Sequence, residues 1–108
     1  MALKHAHPLE VIELFPDGET PPGAVSTSLL RTPRVQLLRL VLAAGHGLPA
    51  HHVAAEITIQ CLAGQVDVTA DERLCPLAAG QLVVLPGGQQ HAVRARENAV
   101  VLVTLLHE

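Results

Sequence analysis

The sequence predicts an all-β fold, a sandwich or barrel, and three observations carry that prediction. Pro and Gly cluster at PDGETPPGA (16–24), TP (32–33), AAGHGLP (43–49), AG (63–64), AAG (78–80) and PGG (86–88). Between these breaks lie short runs rich in Val, Ile, Leu and Thr. Short strands with turn signals about every 8 to 12 residues are the pattern of a sandwich or barrel. No stretch offers a capped helix of ordinary length.

In chain order, LEVIEL (9–14) is ambiguous, a strand or one or two helical turns. Strands are predicted at STSLLR (26–31), RVQLLRLVL (34–42), EITIQCL (56–62), QVDVTA (65–70), RLCPL (73–77), QLVVL (81–85), HAVRAR (91–96) and AVVLVTLL (99–106). Side chains alternate between the faces of a strand, so QVDVTA places Val66 and Val68 opposite Gln65, Asp67 and Thr69. HAVRAR likewise places His91, Val93 and Ala95 opposite Ala92, Arg94 and Arg96, the two arginines facing outward to pair with acids or water.

AVVLVTLL and much of RVQLLRLVL are apolar on both faces. An antiparallel strand of that kind needs cover on both sides. With no helix to supply it, a second subunit is the economical cover, and the expectation is a homodimer. Arg39 interrupts one of these apolar strands and is read either as an interface salt bridge or as a pocket anchor for an anion. Residues 1–24 are expected to form an N-terminal arm packing on the barrel or a partner, and 25–108 the barrel itself.

Composition narrows the function. The 108 residues suit one domain, and a net charge of −3 with seven scattered Lys and Arg gives no basic patch for nucleic acid. Phe15 is the only aromatic residue, which removes the stacking platforms of a single-strand binder and of most sugar sites. MALKHAHPLE lacks the apolar core of a signal peptide, and no apolar run approaches the ~18–20 residues of a membrane span. Cys61 and Cys75 do not make a disulfide framework; two reduced thiols suit a cytoplasmic protein.

The chemistry-bearing residues concentrate in GHGLPAHHVAAEITIQCLAG (45–64) and GQLVVLPGGQQHAVRA (80–95). The second stretch resembles the second motif of the cupin family, G-x5-P-x-G-x2-H-x3-N, with Gly80, Pro86, Gly88 and His91 on pattern and Ala95 in place of Asn. The first resembles the family's first motif, G-x5-H-x-H-x3,4-E-x6-G, through Gly45, His51 and Gly64, with Val53 and Ile57 where the second histidine and the glutamate stand. The two motifs are separated by 15 residues, as in small single-domain cupins. The resemblance covers about residues 35–106 and implies an all-β, small antiparallel cupin (jelly-roll type) barrel of two facing sheets.

It also implies a site. Cupins hold a divalent metal with three ligands from the first motif and a histidine from the second, and such an ion wants three or four converging donors. The strand's alternation puts His51, Val53, Ile57, Ile59 and Cys61 on the inner face, with His91 and Val93 opposite. His52 and Glu56 fall on the other parity and reach inward only if a bulge intervenes. His51 and His91 are therefore the two candidate metal ligands, and a divalent metal stays an open alternative to a metal-free pocket. His46 could fold back from its loop, and Cys61 could offer a thiolate or serve as core filler.

The expected function is binding of a small molecule in an apolar barrel pocket carrying two histidines. The alternative is a metal-dependent dioxygenase or isomerase that uses His51 and His91 with non-standard further ligands. A metal-free sugar epimerase of the cupin kind ranks behind both, because those enzymes pair a histidine with a tyrosine and this chain has none.

Overall fold

The computed structural model describes residues 6–108, all in extended strands, turns and loops, with no helix among them. Nine strands run β1 (Ala24–Arg31), β2 (Val35–Leu42), β3 (Gly47–His51), β4 (Glu56–Ala63), β5 (Gln65–Ala70), β6 (Arg73–Ala78), β7 (Leu82–Leu85), β8 (His91–Ala95) and β9 (Ala99–Leu106). They form two antiparallel sheets, one ordered β1-β2-β9-β4-β7 and the other β3-β8-β5-β6. This is the all-β, jelly-roll arrangement.

The core lies between the sheets and is built by alternation. Leu40 and Leu42 of β2, Ile57, Ile59 and Cys61 of β4, Val66 and Val68 of β5, and Val101 of β9 are almost completely buried. Their sequence neighbours point the other way. In β8, His91, Val93 and Ala95 are buried while Arg94 is exposed. Arg96, just past the strand, pairs with Asp67 at 2.7 Å, a surface contact worth little to stability.

β3 falls in a stretch whose glycines and proline mark a loop in the sequence. It is an edge strand, where proline's missing N–H costs no ladder bond. Its pairing with β8 runs Gly47↔Arg94 and Leu48↔Val93, then skips to His51↔His91. Three steps on β3 match two on β8, so Pro49 and Ala50 form a bulge. The bulge resets the alternation, so that Leu48 and His51, an odd number of residues apart, both face the barrel interior. Gly47 makes the pairing close: a Cβ there would run into the Val93 carbonyl.

Gly64 carries the chain from β4 to β5, and so from one sheet to the other. Its φ is +78°, and a Cβ at this position would strike the Asn98 carbonyl. Gly64→Ala is expected to cost at least about 1–3 kcal/mol from backbone strain alone. Since ~1 kcal/mol moves the midpoint of a domain this size by about 4–8 °C, a fall of 5 °C or more in Tm is expected. An unchanged melting curve would contradict the turn geometry.

Residues 9–14 form neither the strand nor the helical turns considered from sequence. The described part of the N-terminal extension runs across the barrel without regular structure, except for one bridge from Ala6 to Leu30 on the edge strand β1. Residues 1–5 of the expected arm lie outside the described residues. Among the described residues Arg39 neither lines the pocket nor meets an acid. From the outer face of β2 its Nη1 donates to the carbonyls of Glu13, at 3.3 Å, and Leu14, at 3.5 Å.

Candidate functional site

Between the sheets, near one end of the barrel, lies a cavity leaving about 70 Å3 of space for the centres of water-sized molecules. His51, Val53, Ile57, Ile59, His91 and Val93 all contribute to its wall. Sequence alternation did not single out Leu38, Leu40, Leu48, Val103 and Leu105, which complete the aliphatic lining, or Ser26, which adds a hydroxyl. β2 and β9 are apolar on both faces, so their inner residues carry no pattern of their own. The pairing Leu38↔Val103 in the structure identifies them.

Cys61 is placed differently from its expected position on the wall. It is fully buried deeper in the core, its Sγ within 3.4 Å of the Ala63 carbonyl and 3.5 Å of the Gly64 carbonyl, and it does not line the cavity. Burial pushes its thiol pKa up, against a smaller opposing effect of a backbone hydrogen bond at Ala63. Less thiolate forms at neutral pH than on a free thiol, and the thiolate is the nucleophile. Under native conditions Cys61 is therefore expected to resist iodoacetamide while partly exposed Cys75 reacts; mass spectrometry of the alkylated peptides checks this, and prompt labelling of Cys61 would contradict its burial.

The two histidines meet at the cavity mouth. Their ring centroids are 4.4 Å apart, with the planes inclined at 53°. His91 is 4% exposed, whereas His51 is open to solvent. Each ring is held by its own strand's backbone. His51 Nδ1 lies 3.1 Å from the Pro49 carbonyl, and His91 Nδ1 lies 3.0 Å from the Gln89 carbonyl. A carbonyl oxygen only accepts, so each Nδ1 carries the proton and donates. Neither Nε2 has a hydrogen-bond partner among the described residues.

The other candidates lie elsewhere. His52 is exposed and outside the cavity wall. Glu56 is exposed beside Ala55, Gly87 and His107, on a separate surface depression. The bulge that might have turned them inward occurs before His51, not after His52, and so leaves them facing away. His46 stays in its loop, its carbonyl accepting from the Ala95 amide at 2.8 Å.

This donor set does not fit a divalent ion held by the protein alone. Two imidazole rings stand together where three or four ligands are needed. Val53 and Ile57 occupy the inward positions that would supply the rest. No group of three or more His, Cys, Asp or Glu side chains able to hold a metal occurs among the described residues.

Among the described residues no helix is long and apolar enough to cross a membrane. No curated protein matches the sequence. Solved structures with similar folds include a conserved Streptococcus pyogenes protein of unknown function, 21% identical with a TM-score of 0.77, matched over 97% of this chain and 93% of that one. An RmlC-like cupin from Desulfovibrio desulfuricans is 25% identical with a TM-score of 0.73, over 97% of both chains. A cupin from Methanocaldococcus jannaschii with a double-stranded β-helix fold is 19% identical with a TM-score of 0.77, over 92% of both. The family model for the cupin domain matches residues 38–106, so the chain belongs to the cupin family.

Proposed function

We propose that this cupin barrel binds a small, largely apolar molecule in the cavity under His51 and His91. The observation that carries the reading is the wall: nine of its twelve side chains are Leu, Ile or Val, and the polar groups are two imidazoles and the Ser26 hydroxyl. Concave aliphatic sites with a few convergent polar groups are the ordinary form of a ligand pocket. The metal-enzyme alternative has one feature in its favour, the carbonyl-held Nδ1 of each histidine, a support that metal-ligating imidazoles commonly have. It lacks the further ligands, and binding is the better-supported reading.

The test uses isobutanol as the probe, with 13C-labelled isoleucine methyl groups as reporters. Saturable shifts at Ile57 and Ile59 are the expected result. Isoleucine methyl signals that stay unmoved to the solubility limit of the alcohol would count against the pocket.

A homodimer and a cytoplasmic setting belong to the same proposal. The setting is supported by two unpaired thiols, which persist in a reducing compartment. The dimer is supported by exposed apolar side chains on the outer face of the five-stranded sheet: Val25, Leu82, Val84 and Leu106 are each about half exposed. Leu9 and Val11 of the N-terminal segment are fully exposed and Phe15 half so, which makes that segment part of the proposed contact.

A further inference from the structure

The two imidazoles set what kind of head group the cavity takes. Both Nδ1–H groups are committed to backbone carbonyls, so in the neutral pair both Nε2 atoms are acceptors. Two lone pairs on rings 4.4 Å apart, with no donor between them, ask for a ligand atom bearing two hydrogens. A carboxylate offers only more lone pairs and enters only if the pair first gains a proton. An ammonium has the hydrogens, but its charge would be buried against aliphatic walls that hold no carboxylate. A hydroxyl satisfies one acceptor and leaves the other bare.

A primary carboxamide meets both requirements, since its NH2 donates twice and carries no net charge. Its carbonyl stays hydrated at the mouth, where His51 is open to solvent. Size sets the tail. The 70 Å3 is several times the minimum one water needs, about 10–15 Å3, and so admits a short tail. Branched aliphatic tails suit a floor of Leu40, Ile57, Ile59 and Val103.

We propose that the pocket is selective for short, branched aliphatic primary amides, the NH2 bridging the Nε2 atoms of His51 and His91. This rests on the pocket-binding reading above. Isobutyramide, N-methylisobutyramide, isobutanol and isobutyrate are titrated at pH 8, where free imidazole is neutral, with Ile57 and Ile59 methyl shifts as the readout. Isobutyramide is expected to bind at least about tenfold more tightly than the other three. His51→Ala, a change at an exposed position, is expected to remove that preference. Nitrogen-15 shifts of the imidazoles, measured without probe, are expected to show both Nε2 atoms unprotonated.

Equal affinity for the amide and isobutanol, tighter binding of isobutyrate, or a proton on either Nε2 would overturn the two-donor inference while the pocket stands. No methyl shift with any of the four probes would overturn the pocket itself.

Discussion

Val53→His with Ile57→Glu is expected to turn a barrel without a divalent-metal site into one that copurifies with stoichiometric metal. Both side chains already line the cavity beneath His51 and His91, so the pair would raise the inward ligands from two to four. Val53 is held in place by its carbonyl, which accepts from the Gly88 amide at 2.7 Å in the turn that leads into His91. Ile57 is locked by pairing with Leu85 on one side and Leu105 on the other. Both mounts are rigid, as a metal site requires. Without metal the variant should be less stable than the parent, because position 57 is 3% exposed and a carboxylate there is desolvated without a partner. Added Zn2+ should reverse this. At about 100 times Kd a ligand specific for the folded state adds ~2.7 kcal/mol, which is a rise of roughly 10–20 °C in Tm for a domain of this size. Elemental analysis and melting curves with and without Zn2+ measure both effects. If the variant neither retains metal nor gains stability, the four side chains do not converge, and the placement of the histidine pair falls with them.

Most of the architecture could be read from the sequence because it is written in two repeated signals, turn residues and alternation. Eight of the nine strands coincide with apolar runs, and all of these but β9 have Gly or Pro near at least one end. β3 escaped because Gly47 and Pro49 are turn residues by composition. Only its place at a sheet edge, and a neighbour close enough to exclude a Cβ, explain why they form a strand. The bulge at Pro49 and Ala50 has no sequence signature either, since nothing local distinguishes a bulge from one more residue of strand.

The inner faces of β4 and β8 were legible because polar residues interrupt them. β2 and β9 carry apolar residues on both faces, so the sequence could not say which half of each lines the cavity. Cys61 has inward parity, but parity does not give depth along the barrel, and it lies beyond the cavity floor. Arg39 was conspicuous in the sequence, yet its partners are main-chain carbonyls 25 and 26 residues away, which side-chain chemistry does not announce.

The second large effect concerns assembly. Across the outer face of the five-stranded sheet, register aligns Arg39, Leu102, Gln60 and Leu82 in one row and Leu37, Thr104, Thr58 and Val84 in the next. Toward β2 this face meets the N-terminal segment through Arg39, and Val41 is buried. Toward the edge strand β7 it is bare, with Leu82 52% and Val84 53% exposed. An edge strand with unprotected apolar side chains and no charge or proline among Leu82–Leu85 invites pairing with another chain. A second copy meets the same surface with the same residues, as two-fold symmetry requires. The parent protein is therefore expected to show twice the mass of one chain by light scattering at micromolar concentration. Leu82→Asp with Val84→Asp is expected to return it to the single-chain mass, because two desolvated carboxylates on each side face the same pair across the interface. Both side chains point away from the core, so the isolated fold should survive, which circular dichroism checks. A single-chain mass for the parent would remove the dimer. An unchanged dimer in the double variant would keep the dimer but move its contact away from β7.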